Sequence, residues 1–452
     1  MNRNIARYVK SSYFSLFHSK LHQKFFSNTF REKHYKVVIA GAGAGGLSLA
    51  TRINKHFKPN EVAIIDPAKV HYYQPYFTCV GAGIVDYKDT FTETSSLIPS
   101  NFDWIQKKIS EFKPNENCVK LDQDEITYDY LVIALGIQLD YEKISGLKEA
   151  LENDPRVVTN YSSEYVKKTF TAYKNFKKGE KALFTFPATP VKCAGAGQKV
   201  MYLFDDYLRK NNLRDDSHIS YFVGGGAIFS VPHYRDILIG IAANREIVVN
   251  YLNEMTEIDH KKSRAVFVNS QDKSRHEVSY DFLHVTPPMK VPQCLASAKE
   301  LCTTEGPQFV SIDKHSLRHT KFGNIFGVGD CTSLPTSKTA ASACTQVGVV
   351  EENLMSLIKD SKNNKFASYD GYSSCPILTG YNTAIIAEFD YDLKPKETLP
   401  FNQGVEKRYL AWIKKSGLSP LYWQLMMRGL WVGPATIRKY FNFRKNLHTT
   451  NN

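Results

Sequence analysis

No two of the eight cysteines stand in a CxxC pair, and eight are few for a chain of 452 residues. This excludes a CxxC-built zinc ribbon and a secreted disulfide scaffold, and no metal site is expected. Acid is missing from one end. Residues 407–452 carry nine Lys/Arg and no Asp or Glu, and residues 1–33 carry seven Lys/Arg against one acid, Glu32. Between them stand 42 basic and 44 acidic side chains, so the formal charge of +13 belongs wholly to the two ends. A near-neutral body has no basic stripe for a polyanion, and nucleic acid is not the expected partner. Long apolar runs are lacking too. Those of the last segment are broken by Gly417, Pro420, Gly433 and Pro434, well short of the roughly 20 residues a membrane span needs.

What the ends do contain is specific. MNRNIARYVKSSYFSLFHSKLHQKFFSNTFR is rich in Arg, Lys, Ser and bulky apolar residues and has no secretory apolar core. That is the description of a mitochondrial transit peptide. Residues 407–452 mix Trp412, Tyr422, Trp423, Met426, Met427 and Trp431 with their nine cations. This composition suits helices lying in an anionic membrane surface, aromatics down and cations at the headgroups.

The first element of the body is HYKVVIAGAGAGGLSLATRI, a β-branched strand running into a GxGxxG turn and a helix. Gly41, Gly43, Gly45 and Gly46 allow the tight turn and the approach of backbone N–H groups to a pyrophosphate. Asp66 ends the next strand, EVAIID, where an acid accepts from a ribose hydroxyl. The spacing does not distinguish FAD from NAD. Two later stretches, ITYDYLVIALG closing on Gly136 and NIFGVGDC closing on Gly329-Asp330, are followed by a helix-like SKTAASACTQVGVVEENL that opens with Ser337 and Lys338. In this order the motifs resemble the two-dinucleotide-binding-domain flavoprotein superfamily. The resemblance implies FAD, with Asp330 at its ribityl chain and Lys338 at a helix start aimed at the flavin, where developing negative charge is stabilised.

A second such domain should begin at ALFTFP, but no GxGxxG follows. The turn is ATPVKCAGAG, and the other glycine run, YFVGGGAIF, has Gly224 and Gly226 but Phe229 where the third glycine would fall. The expectation is a Rossmann-like fold without a working nicotinamide site. Cys193 sits where this strand hands over to the helix AGAGQKVMYLFDDYL, with Lys192 beside it, and both the lysine and the helix start favour a thiolate. Which thiol partners it stays open at this level. Cys375, in YDGYSSCPILTGYN, is a candidate.

From about residue 34 to about residue 440 the chain resembles the sulfide:quinone oxidoreductase family in its eukaryotic, mitochondrial form. The matching stretches are VHYYQPYFTCVGAG, YLVIALGIQLDYEKISGL, FTFPATPVKCAGAGQKVMYL, LHVTPPM, GVGDCTSLPTSKTAA, YDGYSSCPILTGYN and AEFDY. The resemblance implies that Cys193 and Cys375 are the redox pair. Hydrogen sulfide leaves a persulfide on Cys375, and the Cys193 thiolate, its pKa lowered by Lys192 and Lys338, passes electrons to noncovalent FAD. Glutathione or sulfite takes the sulfane sulfur, and ubiquinone takes the electrons at the mitochondrial inner membrane. Cys79 does not match a covalent-flavin motif. Cys331 and Cys344 are expected to pack, and Cys118, Cys294 and Cys302 to be inert. The expected architecture is α/β with two Rossmann-like domains. A transit peptide spans 1–33 and the FAD domain is split into 34–150 and 301–370. The second domain is 151–300, and 371–452 form the Cys375 segment with an amphipathic membrane and quinone region. The rivals are an NADH:quinone oxidoreductase of the same superfamily and a non-catalytic mitochondrial flavoprotein.

Overall fold

The apolar runs around Val37, Ile64 and Val132 are β-branched and continuous, as strands buried on both faces must be. In the computed structural model, which describes residues 33–359 and 366–441, they form the centre of one sheet. Strand Lys33–Ala40 lies between Val62–Ile65 and Asp124–Ile133, all parallel, with Asp103–Ile105 parallel beyond Val62–Ile65. Strand Asp124–Ile133 serves two further partners. Its first half pairs antiparallel with Cys118–Leu121, and its second half runs parallel to Ile325–Gly327, a strand that returns from far along the chain.

A second sheet has five parallel strands in the order Val157–Val158, Phe282–His284, Lys181–Phe186, His218–Val223, Ile247–Tyr251. Three antiparallel strands, Asn253–Asp259, Arg264–Asn269 and Arg275–Ser279, form a separate small sheet. Three helices point their N-termini at strand ends: Ala44–Ile53 after the first strand of the first sheet, Ala196–Lys210 after Lys181–Phe186, and Ala340–Ile358 after Ile325–Gly327. One apolar core links both sheets, running from Ile39 and Val132 through Phe184 and Phe204 to Ile377 and Leu410.

The hairpin Ser373–Leu378 with Ala384–Phe389 sets Cys375 opposite Ala387. After it, a helical run with π-type turns extends from Arg408 to Met426. Here the structure differs from the expectation of a segment lying flat on a membrane. Tyr422, Met426 and Met427 are buried in the core, and Trp423 and Trp431 are packed against it. The reason is polar as much as apolar. Ser48, Thr51 and Arg52, on the helix after the glycine turn, donate to the carbonyls of Met426 (3.3 Å), Met427 (3.1 Å) and Gly429 (2.7 Å). Trp412 and Leu430 do remain exposed, at 62% and 70%. No helix among the described residues is long and apolar enough to cross a membrane. The basic presequence lies outside the described residues except for Lys33.

Candidate active site: a cysteine pair at a helix N-terminus

The glycine turn is built by close approach. Gly41 has φ +110°, and a Cβ there would stand 2.6 Å from the Ala134 carbonyl oxygen; a Cβ on Gly46 would collide with Gly41 O. Any side chain would therefore push the turn away from the strand that ends in Gly136. Gly45 packs on Val328, a Cβ on Gly43 would only touch the Ala134 carbonyl oxygen at 4.0 Å, and Gly136 faces open space. Asp66 Oδ2 accepts from Ala42 N at 2.7 Å and its Oδ1 from Ala68 N at 2.7 Å. Each oxygen keeps a lone pair for a ribose hydroxyl. Asp330 is half-buried, and desolvation raises its pKa against the pull of the Lys338 and Lys192 ammonium groups. Lys338 Nζ donates to the carbonyls of Asp330 (2.7 Å) and Thr332 (3.1 Å), bracing the loop that carries the acid. Thr339 caps the helix behind it by accepting from Ser342 N. An open glycine cradle, a strand-end acid and a second helix N-terminus fit a flavin dinucleotide.

The second sheet departs from this plan at one place. Three residues separate strand from helix in the first sheet, Gly41 to Gly43, whereas nine, 187 to 195, separate Phe186 from Ala196. The extra length forms the Cys193 turn. Cys193 has φ +48°, an unusual conformation for a side-chain-bearing residue. Its backbone is clamped on three sides. Cys193 N donates to Lys338 O at 2.6 Å, and Cys193 O accepts from Ala196 N (2.8 Å) and from Tyr161 Oη (3.1 Å). Cys193 Sγ then faces Cys375 Sγ at 3.9 Å, both thiols being free. Gly195 makes the room, because a Cβ there would stand 2.7 Å from Cys375 Sγ. The helix N-terminus that in a nicotinamide-binding domain receives pyrophosphate here receives sulfur. The carboxylate of Glu254, accepting from Ala188 N at 2.8 Å, occupies the space beside Gly224, at the end of the next strand.

Lys199 Nζ donates to Cys193 Sγ at 3.2 Å. The Cys375 thiol and this ammonium hold the Cys193 pKa well below the usual thiol range, while Cys375, the donor of that hydrogen bond, is pushed up. Lys414, from the C-terminal helical run, adds positive charge to the same cluster and donates to Pro75 O at 2.9 Å. Both lysines are buried. Sequence reading pointed to Lys192 and Lys338 instead. Burial brings the Lys192 pKa down to about 8, against the pull of the Asp330 carboxylate; Lys338 serves Cys193 through its backbone. The sign of Lys199 was a lone cation immediately before the apolar run VMYLF, less than two turns past Cys193. Nothing in the sequence foretold Lys414.

Burial pushes Cys302 and Cys331 up to about 11 and Cys344 up to about 12. Cys331 Sγ donates to Ile133 O and Val328 O, and Cys344 Sγ to Trp431 O at 3.2 Å. Cys79 is buried near the two lysines. Cys118 and Cys294 are also raised by burial.

With this geometry in hand, the likeness to known proteins is informative. Residues 35–171 match the family model of the pyridine nucleotide-disulphide oxidoreductases. The mitochondrial sulfide:quinone oxidoreductase of Mus musculus is 45% identical over 418 residues, covering 92% of this chain and 91% of that protein. That of Dictyostelium discoideum is 39% identical over 409 residues, covering 89% and 88%. Among solved structures, the sulfide:quinone oxidoreductase of Aquifex aeolicus superposes with a TM-score of 0.72 at 19% identity, covering 91% of this chain and 95% of that one. The chain belongs to the sulfide:quinone oxidoreductase family.

Proposed function

We propose that the protein oxidises hydrogen sulfide at the Cys193–Cys375 pair and reduces ubiquinone with the electrons, using noncovalent FAD. The observation that carries this reading is the pair itself: two free sulfurs 3.9 Å apart at a helix N-terminus, with a buried ammonium 3.2 Å from one of them. In the oxidised state the two cysteines are bonded. Hydrosulfide attacks the Cys375 sulfur, the bond to Cys193 breaks, and a persulfide forms on Cys375. Cys193 departs as a thiolate carrying the bonding electron pair. A low-pKa thiol is the better leaving group in such exchange, and Lys199 and the helix N-terminus stabilise it. FAD, when bound, would supply the two-electron acceptor for the cysteine pair, with quinone as the final acceptor. Gly41, Gly43, Gly45, Gly46, Asp66, Gly136, Asp330 and Lys338 would hold it. A thiophile such as glutathione or sulfite takes the outer sulfur from Cys375, and the Cys375 and Cys193 thiolates re-form their bond as two electrons pass to that two-electron acceptor. The exposed apolar residues gathered between Leu393 and Tyr440, beside the acid-free basic C-terminus, support docking on the mitochondrial inner membrane, where ubiquinone resides.

Anaerobic titration of the purified protein with sulfide tests this. Loss of the oxidised flavin band in the parent, and its retention in Cys193→Ser and Cys375→Ser, is the expected result. A flavin untouched by sulfide but bleached by NADH would transfer the protein to the NADH-dependent reading.

A further inference from the structure

The Ala42 peptide, in the middle of the glycine turn, is held at both of its polar atoms. Its N–H donates to Asp66 Oδ2, and its carbonyl oxygen lies 3.1 Å from His71 Nδ1. A carbonyl only accepts, so Nδ1 carries the hydrogen. His71 Nε2 is then left to accept, and Tyr422 Oη lies 2.6 Å from it. The two rings stack at 6.0 Å with 9° between their planes, and Trp423 meets His71 edge-on at 5.9 Å. His71, Tyr422 and Ala42 are all buried. Burial brings the His71 pKa down to about 4, so the ring is neutral at pH 7 and the tautomer is set by its partners. Tyr422 belongs to the C-terminal helical run, 351 residues away in sequence.

We infer that His71 and Tyr422 are positioning residues for the cofactor: the C-terminal segment holds the pyrophosphate-binding turn in its binding conformation through the relay Tyr422–His71–Ala42. The inference rests on the dinucleotide reading of the turn. A turn whose N–H groups are already oriented loses less freedom when the ligand binds, so breaking the relay weakens retention without removing any group that touches the ligand. The C-terminal segment and the turn that faces the cofactor thus share one buried hydrogen-bonded chain, and coupling between them is reciprocal.

The test compares the holoprotein with Tyr422→Phe, His71→Ala and His71→Asn. Tyr422→Phe keeps the ring and removes the donor; His71→Ala removes both bonds; the Asn amide stands where Nδ1 stands and can still donate to Ala42 O. Flavin release, followed by the fluorescence of free flavin, should quicken roughly three- to tenfold in Tyr422→Phe, the size of one lost hydrogen bond, by a similar factor in His71→Asn, which keeps the Ala42 bond and loses the acceptor for Tyr422, and by more in His71→Ala. Hydrogen exchange of the peptide spanning residues 41–46 reads the same relay with no cofactor present, and should quicken in the same order, least in Tyr422→Phe and His71→Asn and most in His71→Ala. Thr51→Val removes another bond to the same segment, to Met427 O, and should leave both readouts at the parent value. Equal release and exchange in Tyr422→Phe and the parent, or an equally large effect from Thr51→Val, would overturn the inference. A protein that carries no flavin would instead count against the proposed function, and exchange would still decide the relay.

Discussion

Two donors, the Cys375 thiol and the Lys199 ammonium, distinguish Cys193 from the other thiols. Burial alone raises a thiol pKa, as at Cys302, Cys331 and Cys344. Cys193 moves the other way because a thiol and an ammonium both donate to it. The Lys199→Met variant should therefore lose much of this shift. Alkylation of the reduced protein at Cys193, followed against pH, should show a midpoint well below the ordinary value of about 8.5 in the parent and a higher midpoint in Lys199→Met. The sign follows from which form the ammonium favours: it stabilises the thiolate, so removing it leaves more protonated thiol at pH 7 and slows alkylation there. An unchanged midpoint would mean that Lys199 does not set the charge state of Cys193. Histidine and carboxylate variants at distant surface sites serve as controls of the same measurement.

At the level of elements, the site depends on a helix start that yields space to a strand from elsewhere. The helix Ala196–Lys210 begins beside the strand Ser373–Leu378, and Gly195 lets the Cys375 sulfur stand where a methyl group would be. Gly195→Ala should displace Cys375, costing about 1–3 kcal/mol if the core gives way and at least tenfold in the rate of flavin bleaching by sulfide. Intact far-UV dichroism with a normal bleaching rate would show that the displacement is harmless. The parallel strands and their helices were legible in the sequence, because continuous β-branched runs ending at Gly41, Gly136 and Asp330 leave little choice of sheet. So was the lost second glycine motif. The pairing of Cys193 with Cys375 was not legible from spacing and came through family resemblance. Lys414 and the burial of Tyr422 were hidden for a physical reason: a segment rich in aromatics and cations reads the same whether it covers a lipid surface or a protein, and only the hydroxyl and guanidinium groups of Ser48, Thr51 and Arg52, waiting on a distant helix, decide for the protein.

For the whole molecule, one consequence is a division of the C-terminal region into an inward and an outward face. Tyr422, Met426 and Met427 face inward, whereas Trp412 and Leu430 face outward. The double variant Trp412→Glu/Leu430→Glu should bind vesicles containing anionic phospholipid several-fold more weakly than the parent, through lost apolar burial. Sulfide bleaching of the flavin in solution should be unchanged, since neither residue reaches the sulfur pair. Equal sedimentation with vesicles in variant and parent would place the membrane contact elsewhere.

The two sulfurs are 182 residues apart in sequence, and that separation governs how the protein matures. A chain emerging from a ribosome or a translocation pore exposes Cys193 long before Cys375 exists to meet it, and the contact closes only when a late hairpin seats against an early helix. Loop closure over such a length is entropically unfavourable until native packing supports it. A bond formed between these cysteines would therefore be a product of completed folding rather than a staple that guides it. An oxidant supplied during refolding would label native molecules and leave half-made ones with their thiols free.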